Sequence, residues 1–202
     1  MLTINGVDMT DELHGFAETI GLEAAAPGRY SILLLLQLLD GYASRTLNTE
    51  NVIREVRALE RTGRPTGTKT PQPFRHPPLK GLWHKHYLAA GRSTFARNLG
   101  NGLIKDGLPR FEQHVRDTLA VGDVHDLTSE DIKRIVHDAV LGNWERRTNA
   151  SELTGEWIVY AKHDGNNYYL SLGKHNDDDT NLRDEIEASC RAEFPFVADI
   201  LL

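Results

Sequence analysis

Histidines and cations are concentrated in one short segment, which reads Phe-Arg-His-Pro-Pro-Leu-Lys-Gly-Leu-Trp-His-Lys-His-Tyr from residue 74 to residue 87. His84 and His86 are two residues apart, so an extended strand would place both side chains on one face. Histidine titrates near neutral pH and serves as a general acid or base. The neighbouring cations can hold a phosphate and stabilise its transition state. RNA cleavage by attack of the 2′-hydroxyl needs these parts and no metal.

Alternating residues near the end of the chain predict a β-hairpin. Trp157–His163 and Tyr168–His175 flank the sequence Asp-Gly-Asn-Asn, which we interpret as a four-residue hairpin loop. Centring the pairing on this loop places His163 opposite Tyr168. One face of the hairpin is then a core face, formed by Trp157, Val159, Ala161, Leu170 and Leu172. The other face is polar and is formed by Tyr160, Lys162, Tyr169, Ser171 and His175.

Together the two segments define a candidate ribonuclease site. The predicted catalytic residues are His84, His86, His175 and Lys162. The predicted substrate-binding residues are Arg75, His76, Lys80, Trp83, Lys85, Tyr87, Tyr169 and Ser171. This prediction requires the basic segment and the polar hairpin face to lie next to each other.

Two other interpretations of the histidines compete with catalysis. In the first, His84 and His86 bind a metal whose site is completed by His175, Asp177 or Asp178. An H-x-H pair alone is weak support, Lys80 and Lys85 would repel a divalent ion, and no H-E-x-x-H, C-x-x-C or EF-hand pattern occurs. In the second, the histidines only pack or face solvent. The sequence therefore predicts no metal and no cofactor.

Charge is distributed unevenly along the chain. The formal net charge is −6, yet no Asp or Glu occurs from Arg61 to Lys105, although this span contains nine basic residues. All 29 acidic residues lie outside it. A surface without carboxylates attracts polyanions, and Trp83 and Tyr87 could stack on bases. The alternatives are that acidic parts of the fold neutralise the segment, or that it binds an acidic protein partner.

Helical periodicity dominates the first three quarters of the chain. Helices are predicted to begin at Thr10, near Tyr30, after Asn48 or Thr49, at Pro109 and after Thr128, where Asp131 three residues later suggests a capping box. Leu82 to Lys105 is predicted to be helical in part, and a helix is predicted from Leu182 to Glu193. Residues 63–81 contain five of the eight prolines and are predicted to form a long loop.

The expected fold is therefore α+β. A mainly helical N-terminal three quarters is followed by an antiparallel hairpin, which belongs to a small sheet, and by a final helix. We expect one domain over residues 1–202, with one or two further strands that cannot be assigned from the sequence and for which Leu2–Val7 is one candidate. The apolar run 194–202 either completes the core or forms an oligomer contact.

Several classes of protein are excluded or lack support. A single cysteine, Cys190, rules out an internal disulfide and is expected to be a buried apolar filler. No apolar run approaches the ~20 residues of a membrane span, and no signal peptide is evident, so we expect a cytoplasmic protein without membrane contact. Phosphate-binding loops, dinucleotide-binding glycine motifs and nucleophile elbows do not occur.

The functional prediction from sequence is an RNA-acting protein, specifically a metal-independent endoribonuclease of the bacterial toxin type. One alternative is a non-catalytic module that binds nucleic acid or protein through the basic loop. The other is a metal-dependent hydrolase.

Overall fold

The structure is a computed structural model that describes residues 3–4, 7–89, 92–122, 126–174 and 177–201. Strands in these ranges are β1 (Thr3–Ile4), β2 (Val7–Asp8), β3 (Gln72–Pro73), β4 (Trp83–Tyr87), β5 (Glu156–His163) and β6 (Asn166–Gly173). Helices before the sheet are α1 (Thr10–Thr19), α2 (Leu22–Ala25), α3 (Ile32–Ala43) and α4 (Thr49–Leu59). Later helices are α5 (Arg92–Asp106), α6 (Pro109–Ala120), α7 (Ser129–His137), α8 (Asn143–Asn149), α9 (Asp179–Cys190) and α10 (Phe196–Ile200), and a π-helix (Asp138–Gly142) joins α7 to α8.

Local capping chemistry sets several helix starts. Ser31 caps α3 by accepting a hydrogen bond from the Leu34 amide, and Asn48 caps α4 by accepting one from the Glu50 amide. Thr128 and Asp131 form the predicted capping box at the start of α7. These three helix starts confirm the predictions, because an N-cap is decided by residues that are adjacent in sequence.

A four-stranded antiparallel sheet forms the centre of the molecule, with strand order β3-β4-β5-β6. The α+β prediction is confirmed. β3 and β4 are the strands that could not be assigned from the sequence, and β4 lies in the region predicted to be partly helical. Residues 63–81 are otherwise largely irregular, as predicted, and β3 is a two-residue edge strand that ends on Pro73. β1 and β2 pair separately from this sheet.

The predicted register of the β5–β6 hairpin is wrong. The turn has two residues, Asp164 and Gly165, and His163 pairs with Asn166. Both turn residues have positive φ, 48° and 78°, which is the type I′ geometry that matches the twist of a hairpin. A bulge at Leu170 then shifts the register, so that Val159 pairs with Ser171.

Both faces of the sheet are covered, which corrects the expectation of a core face and a polar face. One face packs against α1 to α4 and contributes Tyr87, Ile158, Tyr160 and Tyr169 to a buried cluster. The other packs against α9 and α10 and contributes Val159, Ala161 and Leu170 to a second cluster.

This second cluster includes Cys190, the expected apolar filler, whose thiol pKa is raised by burial to about 11. Phe194, Val197 and Leu201 also belong to it, so the terminal apolar run completes the core.

The helices between β4 and β5 form a unit with little apolar core of its own. α6 has no buried residue, and α7 buries only Asp131. Apart from Tyr42, the strongly exposed large apolar side chains of the described chain all lie here: Phe95, Leu103, Ile104, Val115, Leu119, Val121, Leu127, Ile132, Val136 and Leu141. Buried Asp138 joins the helices by accepting hydrogen bonds from the Arg110 and Phe111 amides and from Arg146.

Candidate functional site

Strand β4 divides the predicted site residues between the two faces of the sheet. Successive side chains of a strand point to opposite faces. Trp83, Lys85 and Tyr87 therefore point towards α1 to α4, whereas His84 and His86 point the other way. We call the side formed by Phe74, His84, His86 and Trp157 the histidine face. The side formed by Trp83, Lys85, Tyr160 and Lys162 is called the lysine face.

The histidine face brings two imidazole rings together among aromatic side chains. The ring centroids of His84 and His86 are 5.6 Å apart, with the rings nearly perpendicular. The His84 ring lies 4.6 Å from Phe74 and 5.3 Å from Trp157. Phe74 and Trp157 pack edge to face at 5.6 Å. The two histidines share one face because β4 is extended, whereas a helix over these residues would have separated them.

The backbone of Gly155 orients His86. The Nδ1 atom of His86 lies 2.9 Å from the Gly155 carbonyl oxygen and 3.3 Å from the Gly155 amide nitrogen. The shorter contact favours the tautomer in which Nδ1–H donates to the carbonyl, and His86 is 5% exposed. A β-carbon on residue 155 would come within 1.8 Å of the Tyr87 carbonyl oxygen, so only glycine allows this approach.

Asn98 on α5 positions the chain that holds His86. Its side chain is fully buried, accepts a hydrogen bond from the Thr154 amide at 2.8 Å and donates one to the Thr154 carbonyl at 2.7 Å. Thr154 directly precedes Gly155, so α5 fixes the backbone that orients the imidazole. Sequence reasoning missed Asn98 and Gly155. The glycine immediately before a strand was a usable signal, whereas nothing near Asn98 in the sequence indicates a partner 56 residues away.

The basic loop before β4 lies next to the histidine face. Its side chains Arg75, His76 and Lys80 are exposed. The loop is anchored by Leu79, which is fully buried in the second cluster, and by the hydrogen bond from the Phe74 amide to the Leu82 carbonyl. Because Phe74 packs on His84, Arg75 is one residue from a direct neighbour of the histidine pair. His175 lies outside the described residues.

Lys85 forms a buried ion pair on the lysine face. Its Nζ is 3.3 Å from Oε2 of Glu55, and the two side chains are 6% and 0% exposed. The ammonium also donates to the Thr68 hydroxyl at 2.7 Å and to the Lys69 carbonyl at 2.8 Å. Burial lowers the pKa of Lys85, and the charge of Glu55 opposes that shift. These contacts hold the Lys85 ammonium within the protein.

The other predicted residues of this side are mostly enclosed. Lys162 places its Nζ 3.4 Å from the centroid of the Trp83 ring. Tyr87 and Tyr169 are buried, and the Tyr169 hydroxyl donates to Glu60 at 2.6 Å. Ser171 pairs with Val159 and so belongs to the opposite side, where it is fully buried and bonds to Gln37 of α3. The basic segment and the hairpin do meet, as the prediction required, but the histidines and the lysines lie on opposite sides of the sheet.

The metal alternative depends on the acidic residues after β6. Asp178 caps α9 by accepting a hydrogen bond from the Thr180 amide at 2.8 Å, and Asp177 accepts one from the Lys174 amide at 2.7 Å. Among the residues that the structure describes, no group of three or more His, Cys, Asp or Glu side chains is arranged to hold a metal ion.

The chain was compared with protein families, curated proteins and solved structures. No protein-family model, no curated protein and no solved structure matches the chain. Within the described ranges, no helix has the length and apolar character needed to cross a membrane.

Proposed function

We propose that the chain cleaves RNA without a metal and that His84 and His86 transfer the protons. The observation that carries this proposal is the pairing of the two imidazoles, whose centroids are 5.6 Å apart, with one ring oriented through Nδ1 by a backbone carbonyl. A base and an acid that act on one phosphodiester must both lie within hydrogen-bonding reach of it, and two neighbouring imidazoles on one strand face are close enough together to do so.

The proposed reaction is an internal transesterification. Nε2 of His86 takes the proton of the ribose 2′-hydroxyl, and the 2′-oxygen attacks the adjacent phosphorus. The bond from phosphorus to the 5′-oxygen breaks as His84 gives that oxygen a proton. The products are a 2′,3′-cyclic phosphate and a 5′-hydroxyl end. Arg75 and Lys80 of the exposed loop supply positive charge for the phosphate, and Phe74 and Trp157 supply aromatic surface for a base.

The decisive test is a nuclease assay with a double substitution. Changing His84 and His86 together to Gln removes both proton-transfer groups, and loss of even one such group lowers the rate by about 10²- to 10⁴-fold. We expect cleavage of mixed RNA by the unaltered chain to disappear in this variant. Its melting temperature should fall, because His86 is 5% exposed and bonds to Gly155, so circular dichroism must show that the variant is folded at the assay temperature. His14→Gln on α1 is the control and should cleave normally, because His14 is exposed and belongs to a helix that covers the opposite face.

Adding EDTA separates the proposal from its alternatives. Cleavage that survives EDTA and yields 2′,3′-cyclic phosphate ends supports the mechanism. Cleavage abolished by EDTA would replace it with the metal-dependent hydrolase. If intact RNA remains in every tube, the proposal is wrong and the basic loop becomes a docking surface whose affinity should fall steeply with salt.

A further inference from the structure

A polar pocket of about 780 Å³ opens on the lysine face of the sheet. Its walls are the C-terminal end of α4, the threonine-containing loop at residues 65–71 and the turn of the β5–β6 hairpin. Both the volume and the position at a junction of several elements are typical of small-molecule sites. Because the pocket lies across the sheet from His84 and His86, it is separate from the proposed cleavage site.

The Tyr160 hydroxyl provides the first indication of a ligand. Tyr160 lines the pocket, is fully buried, and its hydroxyl has no hydrogen-bond partner among the described residues. Burial raises the pKa of Tyr160, so the hydroxyl keeps its proton and is a donor. A buried donor without an acceptor is costly, and such groups are rare in folded proteins. An acceptor atom of a bound molecule would remove that cost.

Charge in the pocket indicates which acceptor that is. Lys162 and Arg61 line the pocket, and neither forms an ion pair with the part of the chain that is described. The Lys162 ammonium lies over the Trp83 ring. The carboxylate of Glu60, also in the lining, is neutralised by Arg29 at 2.6 Å. The lining therefore carries two positive charges without a carboxylate partner, together with the Thr70 hydroxyl and the side-chain amides of Asn166 and Asn167.

We propose that this pocket binds a small phosphorylated molecule, with its phosphate held by Lys162, Arg61 and the Tyr160 hydroxyl. A phosphate offers several acceptor oxygens, which suits a site with two cations and several neutral donors, and such charge-assisted hydrogen bonds are the strong ones. This is a second ligand site that does not depend on the proposed RNA cleavage.

Calorimetric titration of the full chain tests the proposal, with inorganic phosphate and adenosine 5′-monophosphate as probes. Equal affinity for the two probes would identify the phosphate group alone as the ligand, whereas tighter binding of the nucleotide would show that the pocket also holds the organic part. Lys162→Met keeps an unbranched side chain of similar length and removes the charge that lies over Trp83, and Tyr160→Phe removes only the hydroxyl. Each should weaken binding about 10- to 100-fold, while Lys133→Met on exposed α7 should not.

Two results would overturn the proposal. One is the absence of binding heat for both probes, measured against a control titration with sodium chloride at the same ionic strength. The other is binding that Lys162→Met and Tyr160→Phe both retain at full strength. The double variant of His84 and His86 should bind the probes normally, so that a failed nuclease assay and a failed phosphate site remain distinguishable.

Discussion

At the scale of single residues, Lys85 has a structural role. The sequence predicted that it binds substrate, whereas in the fold it forms a buried ion pair with Glu55. Two neighbours in the 66–68 loop, Thr66 and Thr68, donate to Oε2 of Glu55 at 2.7 and 3.0 Å. The pair therefore ties α4, this loop and strand β4 together. Two charges leave water when such a pair forms, so removing one partner strands the other in a low-dielectric site.

Replacing Glu55 with Leu should destabilise the protein by about 3–5 kcal/mol, because the Lys85 ammonium would remain buried without its counter-charge. Adding Lys85→Met should restore most of that loss. The control is Glu50→Leu on the same helix, whose ion pair with Arg57 is 63% and 39% exposed and should be worth at most about 1 kcal/mol. Urea denaturation of the unaltered chain, the two single variants and the double variant measures their free energies of unfolding. A double variant that is no more stable than the single one would contradict this account.

At the scale of elements, the β5–β6 turn determines which side chains enter which core. Both of its residues adopt left-handed backbone, and Gly165 does so at φ 78° with open space around its α-carbon. A side chain added there meets no neighbour, so backbone strain is the only cost.

Gly165→Ala should therefore destabilise the protein by about 1–2 kcal/mol. Gly15→Ala in α1 is a matched control, since that glycine is also in open space but is helical, and the change should be neutral or stabilising. Thermal melts of both variants check the prediction. A stabilised Gly165→Ala protein would show that the turn does not hold this geometry in solution.

The sequence predicted features that depend on neighbouring residues better than features that depend on distant ones. Helix starts at Asn48 and Thr128 depend on neighbours three residues away or fewer, and they were predicted. The hairpin was also predicted, but not its register, because an Asp-Gly turn and a bulge at Leu170 each shift the pairing. β4 was not predicted as a strand. Polar and apolar side chains occur on both of its faces, so its sequence does not alternate between polar and apolar residues.

At the scale of the whole molecule, Glu60 links distant parts of the chain. Oε2 accepts from Arg29 at 2.6 Å, and Oε1 accepts from Tyr169 at 2.6 Å and from Asn167 at 2.9 Å. Burial raises the pKa of Glu60, but these hydrogen bonds together outweigh it and hold the pKa below its ordinary value of 4.5. A carboxyl group with a lowered pKa stabilises the fold above the unfolded-state value, and this contribution is lost as pH falls below it.

Glu60→Gln should consequently lower stability at pH 7 and flatten the decline in stability below pH 4.5. Denaturation midpoints measured from pH 7 down to pH 3 would show both effects. Exposed Glu12→Gln on α1 should leave the profile unchanged. If the Glu60→Gln profile falls as steeply in acid as that of the unaltered chain, other carboxyl groups govern the acid response.

The covering of the sheet from both sides has a consequence for synthesis. The backbone of Arg29 and Ser31 bonds to that of Tyr169, and the N-terminal helices pack on strands that come more than a hundred residues later. Contacts this distant in sequence raise the entropic cost of loop closure and slow folding. During synthesis on the ribosome, the apolar faces of α1 to α4 stay uncovered until the hairpin has been translated. The nascent chain therefore lacks a complete hydrophobic core for most of its translation.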